Sequence, residues 1–105
     1  MTGPPTKNLP LRTVVADDHR LFRQGLISLI NTRPDLLHVI GEAEDGAGVL
    51  AICEQLCPDL VLLDILMPQM SGLQAARQIR ERCPDTAIII LTASETDEHL
   101  EQAIR

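Results

Sequence analysis

Aromatic side chains are almost absent from this 105-residue chain: Phe22 is the one phenylalanine, and there is no tryptophan or tyrosine. Since 45% of the residues are hydrophobic, the core of the protein has to be aliphatic. Long apolar runs are also missing, because no stretch approaches the roughly 18 residues of a membrane span. The first ten residues contain no apolar signal region. The sequence therefore indicates one modest domain that is neither inserted in a membrane nor secreted.

Positive charge is scarce, with 9 lysine and arginine residues against 15 acidic ones and a formal net charge of -6. Non-specific binding to nucleic acid depends on cationic side chains that displace counterions from phosphates. The composition argues against DNA binding by this segment itself, so any contact with DNA requires another part of a longer protein.

Cysteines are few and odd in number: Cys53, Cys57 and Cys83. They have no cysteine or histidine partners at the spacing of a zinc site. Cys53 and Cys57 share a helix face at i and i+4, and both fall on apolar positions, which predicts buried free thiols rather than metal ligands. A reducing compartment, the cytoplasm, fits this pattern best.

From Leu11 onwards, short apolar runs alternate with helical periodicity, which is typical of repeated βα units around a parallel sheet. Residues 1–10 are predicted to be a disordered tail. Strands are expected at 11–16, 37–43, 60–64 and 87–92.

Apolar spacing and capping residues predict a helix after each strand. Asp18 is expected to cap the first helix, and Ser71 with Gln74 has the spacing of a capping box for the third. The fourth helix would start at Ser94 or Thr96. The residues expected to face inward are Leu21, Phe22, Leu26, Leu29 and Ile30 in the first helix, Val49, Leu50, Ile52, Cys53 and Leu56 in the second, and Leu73, Ala76 and Ile79 in the third.

The composition of the strands predicts their order in the sheet. The third and fourth strands are continuous apolar runs, as expected of strands covered on both faces, whereas the second carries His38 and Glu42 and suits an edge. The expected fold is an α/β doubly wound parallel sheet of order 2-1-3-4. In such sheets ligands bind beyond the carboxyl ends of the strands where the winding reverses, here between strands one and three.

Three carboxylates converge on that point, because strand one is followed by Asp17 and Asp18 and strand three ends at Asp64. Like charges this close repel, and a cation resolves the repulsion. Hard oxygen ligands with room for water suit Mg²⁺. Each aspartate alone would be read as a helix cap or a solvated strand end, but three at one sheet edge favour the metal. His19 is adjacent and is expected to point to solvent.

Three segments in order, "VVADDH", "DLVLLDILMPQMSGL" and "IIILTA", resemble the receiver domain of bacterial response regulators in two-component signalling. The segment "ADDHRLFRQGL" further resembles the subgroup whose receiver precedes a helix-turn-helix DNA-binding domain. The resemblance implies the flavodoxin-like receiver fold and a role in transcription regulation rather than an enzyme. It also implies phosphoryl transfer from a sensor histidine kinase, with DNA contacted only through a missing C-terminal domain.

Residue by residue, the resemblance implies that Asp64 is the phosphoacceptor and that Asp17 and Asp18 position Mg²⁺. The backbone carbonyl of Leu66 would complete the metal's protein ligands. Thr92 would be the switch hydroxyl that hydrogen-bonds the phosphoryl group. The loop after the phosphoacceptor is matched at Met67, Pro68 and Gly72.

The chain departs from the receiver pattern at its C-terminal end. The pattern continues with a fifth strand carrying a lysine and with a fifth helix, whereas the only lysine here is Lys7. Residues 11–105 are therefore expected to be a truncated receiver, with strand four as an exposed edge; a homodimer is one of the states left open. Two other interpretations are a phosphorylation-independent interaction module and, less favoured, a Mg²⁺-dependent phosphatase, whose D-x-D motif is missing because Leu66 follows Asp64 by two residues.

Overall fold

A computed structural model describes residues 8–67 and 69–91. Four strands and three helices alternate along this part of the chain. They are β1 (Leu11–Ala16), α1 (Arg20–Ile30), β2 (Leu37–Ala43), α2 (Gly46–Leu56), β3 (Leu60–Asp64), α3 (Gly72–Arg82) and β4 (Ala87–Leu91). The strands match the predicted ones, except that the expected last residue of strand four, Thr92, lies outside the described residues. The predicted tail up to residue 7 and the predicted fourth helix also lie outside the described residues.

The four strands form one parallel sheet in the order β2-β1-β3-β4, which confirms the predicted order. The register pairs Val15 with Leu62 and Ala16 with Leu63, so β1 and β3 end at the same level. On its other side β1 pairs with β2, with one irregularity between Thr13 and Val14. Among the described residues, no helix is long and apolar enough to cross a membrane.

The core has two parts, one on each face of the sheet. Val14 and Val61 belong to the part that packs under α2 and α3, while their neighbours Val15 and Leu62 belong to the part that packs under α1. This division follows from the alternation of side chains along a strand. All five residues of β3 are buried, as the sequence predicts, but β4 is only partly covered and Ile89 is 49% exposed.

The beginnings of the helices were predicted with mixed success. The capping box of α3 is confirmed: the Ser71 hydroxyl accepts from the Gln74 N–H, and the Gln74 side chain accepts from the Ser71 N–H. The prediction that Asp18 caps α1 is wrong, because the N-cap is His19 and no side chain caps this helix. The His19 N–H donates instead to the carboxylate of Asp17. The helix begins one residue later than predicted.

Two of the predicted inward faces are displaced around the helix axis. In α1, Ile30 is buried and Phe22 and Leu26 are partly buried, but Leu21 is 89% and Leu29 is 66% exposed. A stripe of residues four apart faces the sheet, and residues one position off this stripe lie about 100° away from it.

The same displacement occurs in α3, where Ala75 and Ile79 are buried, Ala76 is partly buried and Leu73 is half-exposed. In α2, Val49, Leu50 and Cys53 are buried as predicted, whereas Leu56 at the helix end is 39% exposed.

The prediction that Cys57 is a buried core thiol is also wrong. The helix α2 ends at Leu56, and Cys57 is its C-cap, in the left-handed backbone conformation and exposed. A residue at this position has left the helix, and its side chain is exposed while that of Cys53 is buried.

Candidate phosphorylation and metal site

The acidic site lies at the carboxyl edge of the sheet, between its two central strands. Asp17 follows the last residue of β1 and Asp64 is the last residue of β3, and both side chains are fully buried. Backbone hydrogen bonds fix these strand ends from both sides, since the Asp17 N–H donates to Ala43 of β2 and the Ile65 N–H donates to Leu91 of β4. The sheet itself therefore determines the separation of the two buried carboxylates.

Ligand atoms of four side chains, Asp17, Asp18, His19 and Asp64, lie within 4.8 Å of one another. The predicted convergence of the three carboxylates is confirmed. Asp18 and His19 lie at the mouth of the site, with 34% and 58% of their side chains exposed, and Asp17 and Asp64 form its floor. The site is thus open to solvent on one side and closed by the sheet on the other.

Asp17 carries the clearest sign of a missing partner. One of its oxygens, Oδ1, accepts a hydrogen bond of 2.7 Å from the His19 N–H. The other, Oδ2, is buried and has no hydrogen-bond partner among the described residues. Burial raises the pKa of Asp17, the hydrogen bond from the His19 N–H opposes that rise, and the negative charge of Asp64 adds to it. An unpartnered buried carboxylate oxygen is costly, and a cation would remove that cost.

His19 contacts the carboxylates, although the sequence predicts that it points to solvent. Its Nδ1 lies 3.1 Å from Asp18 Oδ1 and 3.5 Å from Asp17 Oδ1. The reason is its N-cap position: the bend that lets its N–H reach Asp17 also turns the ring towards both carboxylates. The solvent-facing prediction is therefore partly right, since 58% of the side chain is exposed while Nδ1 contacts both carboxylates.

The loop after β3 is folded closely against the strand that carries Asp64. The Leu66 N–H donates to Asp64 Oδ1 over 3.2 Å, and the Gly72 N–H donates to the Ile65 carbonyl over 2.9 Å. A Cβ on Gly72 would collide with the carbonyl oxygen of Asp64, so only glycine allows this approach. Met67 is buried, Leu66 is half-exposed, and Pro68 and Thr92 lie outside the described residues.

Arg23 is a site residue that the sequence reasoning missed. Its side chain is 11% exposed, Nη1 donates to the Asp17 carbonyl over 2.6 Å, and Nε lies 2.8 Å from Glu42 Oε1. The guanidinium therefore joins the end of β1 to the edge strand β2 and places a positive charge behind the acidic site. The sequence does contain one signal for this role, because Arg23 lies one turn into the helix that follows two aspartates.

The donor set fits a hard divalent cation. Carboxylate oxygens, one of them buried without a partner, are the ligands that Mg²⁺ prefers, and the exposed mouth leaves room for water. The nearby imidazole of His19 does not change this chemistry, because its Nδ1 already faces two carboxylate oxygens.

Comparison with known proteins gives a consistent family. The family model described as "Response regulator receiver domain" matches residues 13–105. The transcriptional regulatory protein YxjL of Bacillus subtilis is 41% identical over 95 residues, which cover 90% of this chain and 43% of that protein. YdfI, a transcriptional regulatory protein of the same bacterium, is 45% identical over 86 residues, covering 82% of this chain and 39% of that protein.

A solved structure agrees with these relatives. The crystal structure of a two-component response regulator of the LuxR family from Aurantimonas is 30% identical, has a TM-score of 0.75, and is matched over 90% of this chain and 66% of that one. The chain spans less than half the length of the curated relatives named above. With the four-stranded order, the acidic strand ends and the matched family model, the chain belongs to the response regulator receiver domain family.

Proposed function

We propose that this chain is the phosphoacceptor part of a response regulator and that Asp64 accepts the phosphoryl group. The observation that carries this proposal is the position of Asp64, a buried carboxylate at the end of a central strand, with Asp17 and Asp18 beside it. The Leu66 N–H donates to Asp64 Oδ1 and so restrains one oxygen of this carboxylate. The donor would be a phosphohistidine of a sensor kinase, and the product an acyl phosphate on Asp64.

Asp17, Asp18 and Asp64 would hold Mg²⁺, together with the backbone carbonyl of Leu66. The unpartnered Oδ2 of Asp17 supports this assignment, because this oxygen is buried away from solvent and is able to act as a ligand. When bound, the cation would screen the negative charges of the carboxylate and the incoming phosphoryl group, which otherwise repel each other. Arg23 would keep the end of β1 in place through the Asp17 carbonyl.

The proposed consequence of phosphorylation is a change of conformation that controls an output domain. Thr92 would turn its hydroxyl towards the phosphoryl oxygens, since phosphorylation adds negative charge and strong acceptors at Asp64. The output would be a DNA-binding domain outside this chain, and the protein would act in the cytoplasm as a switch rather than as an enzyme on a separate substrate. We extend the same proposal to residues 11–105, as one receiver domain.

The experiment is intact-mass spectrometry of the full chain after incubation with acetyl phosphate and Mg²⁺. The wild-type chain should gain the mass of one phosphoryl group, and Asp64→Asn should gain none. The matched control is Asp85→Asn, an exposed aspartate at the amino end of β4, which should be phosphorylated like the wild type.

Two results would contradict the proposal. Undiminished phosphorylation of Asp64→Asn would show that another residue is the acceptor. A wild-type chain that gains no phosphoryl group, while circular dichroism shows it folded, would instead favour the phosphorylation-independent interaction module.

A further inference from the structure

Two of the three cysteines meet at the edge of the sheet opposite the acidic site. The Sγ atoms of Cys57 and Cys83 are 2.9 Å apart, although 26 positions separate the two residues in the sequence. Cys57 is the C-cap of α2 and Cys83 the C-cap of α3, so the pair joins the ends of two neighbouring helices. The chain between them contains β3 and the loop that follows Asp64.

The backbone at Cys57 is unusual for a residue with a side chain. Its φ of 40° and ψ of 69° lie in the left-handed region. A residue that ends a helix in this conformation is usually glycine and sometimes asparagine. The turn is fixed by the Arg12 guanidinium, which donates to the carbonyls of Leu56 and Cys57 over 2.8 and 3.2 Å. Helix capping alone would favour glycine at this position, whereas a cysteine here meets the thiol of Cys83.

The three thiols differ in their access to solvent. Cys57 is exposed, and a cavity of about 150 Å³ lies alongside it and Cys83. Cys83 is only 4% exposed, and burial raises its pKa to about 11. Cys53 is 1% exposed, and burial raises its pKa to about 12. A reagent in solution therefore reaches Cys57 first, and Cys83 is the thiol nearest to it.

We infer that Cys57 and Cys83 form a reversible intramolecular disulfide when the protein meets a two-electron oxidant such as a peroxide. The Cys57 sulfur, as thiolate, would attack a peroxide oxygen and break the O–O bond, giving a sulfenic acid on Cys57 and one hydroxide, which is protonated to water. The Cys83 sulfur would then attack the Cys57 sulfur, forming the S–S bond and expelling the sulfenic oxygen, which takes the Cys83 proton and leaves as a second water. The two thiols lose two electrons in all, and the peroxide gains them.

This modification goes beyond phosphorylation, because none of its groups belongs to the acidic site. The bond would tie the end of α2 to the end of α3 at the amino edge of the sheet. In a reducing cytoplasm disulfides are usually transient and redox-sensing, and thiol exchange would reverse this one.

The test is peptide mapping of the full chain after treatment with hydrogen peroxide, with free thiols alkylated before digestion without reductant. The wild type should yield a Cys57–Cys83 cross-linked peptide that dithiothreitol removes, and Cys53→Ser should yield the same peptide. Cys57→Ser, which changes an exposed side chain, should yield no cross-link to Cys83. Circular dichroism before oxidation checks that each variant is folded.

The wild type alone supplies a further comparison, in case a variant does not fold. In urea, loop closure favours the pair that is closer in sequence, Cys53 with Cys57, whereas the folded chain should favour Cys57 with Cys83. The inference is overturned if the folded chain keeps three free thiols, if Cys57 is oxidised without forming a bond to Cys83, or if the folded and unfolded chains give the same pairing.

Discussion

Replacing Gly72 with alanine should destabilise the protein, because the new Cβ has no room. It would collide with the Asp64 carbonyl oxygen and lie 2.8 Å from Ile65 Cα and 3.0 Å from the Asp64 carbonyl carbon. All three are backbone atoms at the end of β3, where Asp64 pairs with β4 and the Ile65 N–H is bonded to Leu91. Neither strand can yield without losing hydrogen bonds, so the first turn of α3 has to move.

The size of the effect follows from two opposing contributions. Overpacking a tight site costs about 1–3 kcal/mol, and collision with backbone rather than with a flexible side chain puts Gly72→Ala near the upper value. Alanine returns at most about 1 kcal/mol through its higher helix propensity. A net loss of about 2 kcal/mol remains, which for a domain of this size lowers the Tm by roughly 10 °C.

The matched control is the same substitution at Gly25, inside α1, where an added Cβ meets nothing within 4 Å. Gly25→Ala should raise the free energy of unfolding by about 0.5–1 kcal/mol. Urea unfolding followed by circular dichroism measures both variants against the wild type. The reasoning fails if Gly72→Ala is as stable as the wild type or if the two variants change stability in the same direction.

Three further predictions concern the metal, the buried charge and the helix cap. Asp18→Ala should weaken Mg²⁺ binding more than His19→Ala in isothermal titration calorimetry, and the reverse order would make the imidazole the more important ligand. Asp17→Asn should raise the free energy of unfolding at neutral pH without Mg²⁺, because the raised pKa of Asp17 means that its ionisation destabilises the folded state. This gain should be absent below the ordinary aspartate pKa of about 3.9 and should grow as the pH rises above that value. Equal gains in urea titrations at acid and at neutral pH would contradict the prediction. Ser71→Ala should lower the free energy of unfolding by about 1 kcal/mol, because it removes the acceptor of the Gln74 N–H, whereas Ser71→Thr should keep the cap; equal stability of both variants would argue against the capping box.

The sequence by itself determined the strands and their order. A fully buried strand such as Leu60–Asp64 reads as a continuous apolar run, and an edge strand such as Leu37–Ala43 tolerates polar residues. These local properties do not depend on distant contacts. The meeting of Asp17 and Asp64 followed from the order alone, since the carboxyl ends of adjacent parallel strands share one edge.

The phase of the helices was decided by the tertiary structure. Periodicity shows that a helix has an apolar stripe, but which neighbouring residues face the sheet depends on how the helix lies across it. For this reason Leu21 and Leu29, which were predicted to face inward, are exposed, while Ile27, which was not, packs against the core.

Contacts between residues distant in sequence were likewise settled only by folding. Arg23 reaches the Asp17 carbonyl and Glu42 because β2 lies beside β1, and Cys57 meets Cys83 because α2 and α3 end side by side on one face of the sheet. Local sequence signals act over a few residues, whereas these distances depend on the packing of whole elements. The acidic site was therefore visible in the sequence, while the contacts that Arg23 makes behind it and the thiol pair at the opposite edge appeared only in three dimensions.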